Sequence, residues 1–454
     1  MNHPIAPRSA APHLPPAAEL SWRRLSTFLR APLDLYVELA RHYGDFVRIP
    51  VPGSILVQVS DPDAIEAVLV RERDGYAKGY FLEVIGDLLG DGLLLSDGET
   101  WRQARRLYQT GFTAAAVRRH AETMVRIGAE RFGSWERGGV TDVHRDMERI
   151  ALDVVTEALL GRGFAREVRA CTRGVETILR HLSGIGSSGL RIPQQIPTPG
   201  NRRFRRALHE TKQAAMALVA QARARPADRA QLLDALMRAT DAEGRPLLSD
   251  EAVRDELLTV IMAGHQTTAL LLTFAAHLIA ANPPVQRKLR EEVDRALDGQ
   301  LPGVDHLEAL PYTRATIKEV LRLYPPVMGV DRRALRPATL GPFEVPAGAN
   351  VAIMTYVVQR DPRWYRDPEA FRPERWMADG GEAPPPRFAY LPFGAGHRTC
   401  IGNHFSILEG TLLVALLVQR FNLYATTAER LEVTPGVTLQ PRRPIALRTE
   451  VRRR

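Results

Sequence analysis

The chain has 454 residues, of which 45% are hydrophobic, 25% charged and 7% aromatic; this composition is typical of a globular protein and excludes disordered, collagen-like and coiled-coil chains. Its 61 basic and 52 acidic side chains leave a formal net charge of +9. Because the charges are interspersed and the terminal basic run covers only residues 452–454, the pattern favours an acidic protein partner over nucleic acid.

Cysteine content and the N-terminus bear on the cellular compartment. The chain has Cys171 and Cys400, too few for the disulfide framework of a secreted protein. Residues 1–20 are rich in proline and lack the apolar core of a signal peptide or membrane anchor. The longest apolar runs, 269–281 and 407–418, are shorter than the roughly 20 residues that a bilayer requires. We therefore expect a cytoplasmic protein without a membrane anchor and with a poorly ordered leader over residues 1–20.

The first predicted element is a hairpin. Strand-like residues 46–51 and 55–60 flank a Pro-Gly-Ser turn cluster. From residue 62 to about 240 the spacing of apolar residues is mostly helical. Glycines, prolines and serines interrupt that pattern over residues 184–201, where we expect a mobile loop.

A long helix is predicted next. Ser249 is a suitable N-cap, and the helical pattern continues to Ala281, before an Asn-Pro-Pro stop. At 1.5 Å per residue such a helix is roughly 48 Å long. The remaining predicted elements are a helix from about residue 313, short strands at 343–346 and 350–354, and an irregular stretch over 359–391. Together these patterns predict a mainly α fold with small β-sheets, in the α+β class.

Cys400 follows a glycine-rich turn and precedes an apolar helix that is predicted to begin near Gly402. A helix N-terminus favours the thiolate over the thiol, and its free N–H groups can donate to sulfur. A lone cysteine is more often a small buried hydrophobe. Zinc is a further alternative, because His397 and His404 lie close in sequence, although structural zinc needs four ligands and no second pair of ligands follows.

The segment around Cys400 resembles the heme-binding signature of the cytochrome P450 superfamily, Phe-x-x-Gly-x-x-x-Cys-x-Gly, which Phe393, Gly396, Cys400 and Gly402 match in full. The resemblance implies a P450 fold in which Cys400 is the axial ligand of the iron of heme b (iron protoporphyrin IX). It also implies that Phe393 packs close to the sulfur and that Arg398 binds a heme propionate. Thiolate ligation pushes electron density onto iron and favours O–O cleavage.

A second match lies downstream of the long helix. Glu319 and Arg322 are three residues apart on a predicted helix, where alone they would be an ordinary surface pair. With Arg375 they resemble the family's buried Glu-Arg-Arg triad. A planar guanidinium can satisfy a buried carboxylate with two hydrogen bonds, so the implied role of this triad is structural.

Propionate-binding residues are implied elsewhere in the chain. Trp101 and Arg105 stand four apart on a predicted helix and match the family's Trp-x-x-x-Arg pattern. In isolation such a pair would be a half-buried tryptophan with a solvated arginine. Arg332 is a weaker candidate, because Arg333 beside it could serve instead. Buried carboxylates of a propionate require cationic partners.

The middle of the long helix resembles the family's oxygen-activation motif, small-Gly-x-acid-Thr. Ala263, Gly264 and Thr267 are expected to share a stripe that leaves room for heme, oxygen and substrate. The resemblance implies that the Thr267 hydroxyl assists dioxygen. Gln266 departs from the motif, because an amide can orient water but cannot carry a proton. A helical threonine can also simply donate back to a carbonyl.

The resemblance implies a single heme-binding domain over residues 21–454 that inserts one oxygen atom of O2 into an apolar small molecule. A terpenoid, polyketide or fatty-acid-like substrate would be hydroxylated or epoxidised. No flavin or iron–sulfur segment follows Arg454, so electrons from NAD(P)H are expected to arrive through an acidic ferredoxin or flavodoxin and its reductase. We expect a monomer whose docking patch includes Arg102, Arg105 and Arg106. The expected lining of the substrate pocket is Leu82, Ile85, Ala263, Val327 and Met328.

Three other functions stay open from the sequence. Gln266 makes a peroxide-driven peroxygenase or a non-oxidative heme-thiolate enzyme plausible. A heme-binding sensor is a further alternative, against which Thr267 and Gly264 argue, because a sensor needs no alcohol that handles protons.

Overall fold

The computed structural model describes residues 13–19, 21–51, 53–83, 85–188, 196–225, 232–380, 382–427 and 431–453. The α-helices, in chain order, are α1 Trp22–Arg30, α2 Pro32–Tyr43, α3 Pro62–Glu66, α4 Tyr80–Glu83, α5 Gly86–Leu89, α6 Gly98–Gly111, α7 Ala114–Arg118, α8 Ala121–Phe132, α9 Val143–Val155, α10 Ala165–Ser188, α11 Pro199–Arg223, α12 Leu232–Arg238, α13 Asp250–Ala281, α14 Pro283–Leu297, α15 Pro311–Leu323, α16 Thr355–Val358 and α17 Asn403–Arg420.

The β-strands are short. In chain order they are β1 Phe46–Val51, β2 Ser54–Val59, β3 Tyr76–Lys78, β4 Gly139–Asp142, β5 Val330–Ala334, β6 Ala338–Leu340, β7 Phe343–Val345, β8 Asn350–Ile353, β9 Phe421–Ala425, β10 Val433–Thr434, β11 Gln440–Pro441 and β12 Ala446–Val451. The predicted mainly helical fold with small sheets is confirmed, as is the hairpin of β1 and β2.

The chain divides into two compact units, each assembled from three segments. Unit 1 comprises Met1–Phe81, Gly329–Trp364 and Pro386–Thr399, and unit 2 comprises Leu82–Met328, Tyr365–Pro385 and Cys400–Arg454. Because the segments alternate along the chain, neither unit is a continuous stretch of sequence. The single domain expected over residues 21–454 stays a prediction.

Unit 1 is built on a sheet of strand order β1-β2-β8-β5-β3. The β2–β8 pair is parallel and the other neighbours are antiparallel. Val57, Val59, Val351 and Ile353 from the central strands are fully buried, as β-branched residues on the covered face of a sheet should be. Residues 13–19 of the predicted leader join this unit through backbone hydrogen bonds at Arg48.

Unit 2 is built around α13. Its N-cap is Ser249, whose hydroxyl accepts from the Ala252 N–H, as the sequence predicts. The helix is long and apolar enough to cross a membrane, but 83% of its most apolar window is buried in the protein, as in the core helix of a globular fold. Helices α9, α11, α15 and α17 pack against it. A second sheet in this unit has the order β4-β12-β9.

One predicted loop is shorter than expected. We predict a loop over residues 184–201, but α10 continues to Ser188 and α11 already begins at Pro199. A glycine inside a helix costs only about 1 kcal/mol relative to alanine, which tertiary packing can offset, so the two glycines in this stretch do not end the helix. Residues 189–195 lie outside the described residues.

Candidate active site

The glycine-rich turn before Cys400 belongs to unit 1. Residues Gly396–Arg398 form a 3₁₀ turn, closed by Thr399, whose N–H and hydroxyl both donate to the Gly396 carbonyl oxygen. Gly396 has a φ of +73°, and a Cβ at this position would collide with the Leu69 carbonyl oxygen. Glycine is therefore required both by the backbone conformation and by the close approach to Leu69. Phe393 in this turn is half-buried.

The two predicted propionate-binding arginines of unit 1 lie in one cationic cluster. Desolvation, together with the positive charges of Arg398, Arg73 and Arg332, lowers the pKa of His397 to about 4, against the opposing effect of Asp74. The imidazole is therefore neutral at physiological pH. A concentration of guanidinium groups around a half-exposed turn is suited to a carboxylate ligand.

Cys400 begins the last segment of unit 2 and is exposed. Desolvation by surrounding protein atoms raises the pKa of its thiol, while a hydrogen bond from the Gly402 backbone and the positive charge of Arg105 act to lower it. The sequence predicts a stabilised thiolate at a helix N-terminus. The contacts that favour the thiolate are present, and ligation of iron by the Cys400 thiolate stays a prediction.

Arg105 and Trp101 are half-buried on α6. Desolvation lowers the pKa of Arg105, and Cys400 acts to raise it, which places the guanidinium in the electrostatic range of the sulfur. In the part of the chain that the structure describes, no carboxylate forms an ion pair with Arg105. Its neighbour Arg102, by contrast, is exposed and paired with Glu99 at an N···O distance of 2.6 Å. Arg105 is thus a partly desolvated cation available to an anionic ligand.

An opening interrupts the buried surface of α13. Between residues 255 and 280, every residue is buried except Ala263, Gly264 and Thr267. Small side chains at i and i+4 leave a shallow exposed stripe on an otherwise enclosed helix. The stripe formed by Ala263 and Thr267 is the surface that the sequence predicts for a bound ligand.

Three details of this helix differ from the expected oxygen-activation motif. The Thr267 hydroxyl donates to the Ala263 carbonyl oxygen at 2.6 Å, which is the alternative role of a helical threonine. A Cβ at Gly264 would lie 2.9 Å from Val155 Cγ2, so glycine permits close helix packing here, and its predicted place beside the ligand stays a prediction. Gln266 is 9% exposed, and its Oε1 has no hydrogen-bond partner among the described residues.

The three residues of the predicted triad are brought together in unit 2. The Glu319 carboxylate accepts two hydrogen bonds from Arg322, at 2.8 and 2.9 Å, and one from Arg375 at 3.0 Å. Trp376 Nε1 donates to the same carboxylate at 2.9 Å. Glu319 and Arg322 are fully buried. Arg375 also pairs with Glu382, a partner that sequence spacing does not reveal.

With this geometry established, comparison with known proteins identifies the family. Residues 12–447 match the family model described as Cytochrome P450. The chain belongs to the cytochrome P450 family. It is therefore a heme-dependent P450 monooxygenase that uses O2, and the resemblance seen in its sequence is confirmed.

Relatives of this P450 include bacterial monooxygenases. The chain is 33% identical, over 90% of its length and 87% of the relative, to cyclooctat-9-en-7-ol 5-monooxygenase of Streptomyces melanosporofaciens. It is 30% identical to pentalenene oxygenase of Streptomyces avermitilis, over 97% of this chain and 94% of the relative. The crystal structure of the cytochrome P450DA heme domain matches the fold with a TM-score of 0.86, at 27% identity and over 98% of this chain and 99% of that one.

The donor set of the P450 fits heme. Unit 2 presents the exposed Cys400, the desolvated Arg105, which pairs with no carboxylate in the described part of the chain, and an exposed stripe on α13. Unit 1 presents the cationic cluster around His397. Among the described residues no three or more His, Cys, Asp or Glu side chains gather as a metal site, which disfavours the zinc alternative within that part of the chain.

The predicted pocket residues fall into different environments. Leu82 and Met328 are partly exposed, and Val327 is 39% exposed, so these three can contact a ligand. Ile85 is 1% exposed and packs in the core of unit 2, and its place in the pocket lining stays a prediction. Cys171 is buried, and its pKa is raised to about 12 by desolvation, which fits a structural cysteine.

Sequence analysis misses one buried polar pair of this P450. Tyr108 of α6 donates to the carboxylate of Glu256 on α13 at 2.8 Å. A periodicity argument could have found it, because Tyr108 lies on the face of α6 that carries Trp101 and Arg105, and Glu256 lies on the face of α13 that carries Ala263. The hydrogen bond brings those two functional faces together.

Proposed function

We propose that this P450 binds heme b through Cys400 and inserts one oxygen atom of O2 into an apolar small molecule of terpenoid type. The observation that carries the proposal lies in unit 2, where Cys400 is exposed, the desolvated Arg105 has no carboxylate partner among the described residues and acts on the Cys400 thiol, and α13 has an exposed stripe. A structural cysteine would require neither the arginine nor the stripe.

When bound, heme supplies the reductive activation of O2. The chain's part begins at the sulfur, where the Gly402 backbone donates a hydrogen bond and Arg105 provides positive charge, and both favour the anionic form. We assign Phe393 to packing near this sulfur, and Gly396 and Gly402 to shaping the turn that presents it. A bound cation at the sulfur would supply the remaining stabilisation of the thiolate.

Carboxylate binding is the task we assign to four residues. Arg105 and Trp101 on α6 would hold one propionate, and Arg332 and Arg398 in unit 1 would hold the other. The basis is charge, because guanidinium groups pair with carboxylates in bidentate fashion and a desolvated carboxylate requires such partners. The pKa of His397, lowered by desolvation and by Arg398, Arg73 and Arg332, is the supporting observation in unit 1.

Proton handling is the task we assign to Thr267 and Gln266. The Thr267 hydroxyl has one proton, which it donates to the Ala263 carbonyl, so its oxygen can accept from water or a ligand group. Rotation of the hydroxyl would free that proton for donation. The unpartnered Gln266 Oε1 can accept a hydrogen bond from water but cannot reload the hydroxyl with a proton of its own.

An apolar substrate is favoured by the small residues of the stripe and by the relatives. Ala263 presents a methyl group at the exposed point of α13, and Val327 adds an exposed apolar side chain in the same unit. Two relatives are named for acting on cyclooctat-9-en-7-ol and on pentalenene. Leu82, Met328 and Ala263 are the residues we propose for substrate contact.

We further propose that electrons come from NAD(P)H through a separate acidic ferredoxin or flavodoxin with its reductase, to a monomeric protein in the cytoplasm. The net charge of +9 and the exposed Arg102 and Arg106 of α6 support an acidic partner. The Arg106 side chain has no ion-pair partner in the described chain, so its charge is available for docking.

The experiment that tests this function uses the heme-reconstituted protein, a surrogate ferredoxin and reductase, NADPH and a panel of cyclic terpenes. We expect a product with one added oxygen atom that comes from isotopically labelled O2. Product oxygen that comes from water, or no product from any compound that shifts the heme spectrum, would contradict the proposal. Turnover with hydrogen peroxide alone at an equal rate would favour a peroxygenase instead.

A further inference from the structure

A buried carboxylate joins three parts of unit 2. Glu256 of α13 is 3% exposed. Its Oε2 accepts a hydrogen bond from the Leu93 backbone N–H at 3.0 Å and from the Tyr108 hydroxyl at 2.8 Å. The phenol, 1% exposed, belongs to α6. One carboxylate oxygen therefore ties α13 both to α6 and to the segment of residues 86–93.

This segment packs on α13 through its backbone. A Cβ at Gly90, whose φ is +53°, would collide with the Asp255 carboxylate, and a Cβ at Gly92 would collide with the Thr259 hydroxyl. Because these two glycines have no side chains, the segment can approach α13 closely. Leu88 and Leu89 are buried, so the segment is anchored by apolar packing as well. Its position along α13 is then set by the hydrogen bond from Leu93 to Glu256.

Glu256 lies on the face of α13 that carries the exposed stripe. Ala263 and Thr267 follow it by seven and eleven residues, and positions i, i+7 and i+11 share one helix face. At 1.5 Å per residue, Ala263 lies about 10.5 Å along the axis from Glu256. The face is covered at Glu256, where the segment 86–93 binds, and is exposed at Ala263 and partly exposed at Thr267.

We propose that Glu256 is a positioning residue for substrate: it holds the segment 86–93 as the wall that bounds the stripe at its N-terminal end. The proposal rests on the proposed function, because it assumes that the stripe binds the substrate. Glu256 itself touches no reacting atom. By holding this wall, it would limit how large an apolar ligand the stripe accommodates.

The chemistry of the two donors favours a permanent contact. Desolvation, together with the charge and the hydrogen bond of Glu256, raises the pKa of Tyr108 well above its ordinary value, so the phenol remains a donor. Hydrogen bonds to an ionised carboxylate are stronger than those to a neutral amide. Glu256→Gln therefore weakens both contacts, whereas Tyr108→Phe removes one contact and retains the ring that stacks with Phe112.

The test uses the holoenzyme and two nitrogen ligands of heme iron. Imidazole is small, whereas 4-phenylimidazole carries an additional apolar ring that would need space beside the wall. In Glu256→Gln and Tyr108→Phe we expect the affinity for 4-phenylimidazole to fall about three- to tenfold. This decrease corresponds to part of the free energy of a charge-assisted hydrogen bond. Imidazole affinity should stay within about twofold, because imidazole does not reach the wall. Glu251→Gln, at an exposed position in the first turn of α13, is the matched control.

Amide hydrogen exchange is the second measurement. The peptide that contains residues 86–96 should exchange faster in Glu256→Gln, because Leu93 loses a strong acceptor, and at the wild-type rate in Glu251→Gln. Tyr108→Phe keeps the hydrogen bond from Leu93 to Glu256, so its exchange should change less than that of Glu256→Gln. Unchanged exchange and unchanged 4-phenylimidazole affinity would overturn the proposal. Equal weakening of both ligands would also overturn it, since that result describes a general loss of heme-site structure. If the wild type bound neither ligand at iron, the proposed function would fail, and faster exchange would then support only the anchoring of the segment.

Discussion

Gln266 and Thr267 show what single residues of α13 can and cannot do with protons. The Thr267 hydroxyl is engaged with the Ala263 carbonyl, and the Gln266 amide does not ionise. His265 next to them is buried, and desolvation lowers its pKa to about 4, so it is neutral at physiological pH. Its Nδ1 lies 3.2 Å from the Ile261 carbonyl oxygen. No side chain at positions 265–267 is therefore a ready proton donor.

Gln266→Glu should improve the coupling of electron use to product formation. A carboxyl in this buried position would have a raised pKa and could carry a proton near neutral pH. Positioned general acids contribute roughly 10²–10⁴-fold, and water can replace part of that, so we expect a gain toward the low end. The measurement is product formed per NADPH, together with released peroxide.

Thr267→Ala should lower the amount of product formed per NADPH and leave substrate affinity little changed. The matched control is Thr268→Ala, at a buried neighbouring position. If Gln266→Glu leaves coupling unchanged while the heme spectrum and the substrate-induced shift are intact, the proton-supply account is wrong. The substrate itself or peroxide chemistry would then be the better explanation.

Arg105 provides a second prediction for a single residue. Arg105→Leu removes a half-buried cation that pairs with no carboxylate among the residues described, whereas Arg102→Leu on the same helix removes an exposed cation paired with Glu99. If Arg105 binds a propionate, heme transfer to excess apomyoglobin should be at least about tenfold faster in Arg105→Leu than in the wild type. A tenfold change corresponds to the free energy of one charge-assisted hydrogen bond. Equal transfer rates in the two variants would contradict this role.

The triad connects α15 to the irregular stretch that precedes the cysteine turn in the chain. Arg322 donates to the backbone carbonyls of Pro368 and Ala370, and the Arg372 N–H donates to Glu319. These contacts satisfy the backbone of a segment that has little regular structure. The irregular stretch is therefore ordered by buried charge rather than by strands or helices.

Glu319→Gln should destabilise the protein strongly, because it removes the carboxylate paired with the buried Arg322 and one of the two carboxylates paired with Arg375. We expect a loss of about 3–5 kcal/mol in the free energy of unfolding at neutral pH, as for other broken buried ion pairs. Glu308→Gln, at an exposed position, should change it by less than about 0.5 kcal/mol. Urea denaturation at pH 7 makes this comparison.

The pH dependence of that loss has a defined sign. Desolvation acts to raise the pKa of Glu319, but the hydrogen bonds and charges of Arg322 and Arg375 outweigh it and hold the pKa below its ordinary value. The ionised Glu319 contributes its full stabilisation when the pH is above about 4.3, the ordinary pKa of a glutamate in the unfolded chain. That stabilisation is lost as the pH falls through the lower pKa that Glu319 has in the folded protein. The difference between wild type and Glu319→Gln should therefore shrink below about pH 4. A difference that stays constant to lower pH would contradict this account.

Elements with strong local signals could be predicted from sequence, and those set by tertiary contacts could not. Ser249 and the Asn-Pro-Pro stop determine α13 locally, and the turn cluster determines the hairpin of β1 and β2. The end of α10 could not be predicted, because packing decides whether glycines end a helix. The same reason applies to the close packing of Gly264 against Val155 and to the burial of Ile85, because both depend on neighbours distant in sequence.

Charge at the scale of the whole molecule determines how the electron donor is expected to dock. The net charge is +9, and α6 presents Arg102 and Arg106 to solvent. Because the first of these is paired with Glu99 and the second has no ion-pair partner in the described chain, the structure makes Arg106 the better probe of docking. Association steered by such charges weakens as salt shortens the Debye length, from about 10 Å at 0.1 M to about 3 Å at 1 M.

Reduction by an acidic ferredoxin at limiting concentration should therefore slow steeply between those salt concentrations. Arg106→Glu should slow it further at low salt, and by more than Arg102→Glu, with substrate binding unchanged. Stopped-flow reduction under carbon monoxide measures the rate. A rate that is independent of salt in the wild type would refute charge steering.

The most direct test of the whole account is the spectrum of the reduced carbon-monoxide complex. We predict that Cys400→Ser loses the long-wavelength Soret band that marks thiolate ligation, because Cys400 provides the sulfur ligand. Cys171→Ser should retain the band, since Cys171 is fully buried in α10. Retention of the band in Cys400→Ser, or its loss in Cys171→Ser alone, would contradict the assignment of Cys400 as the axial ligand.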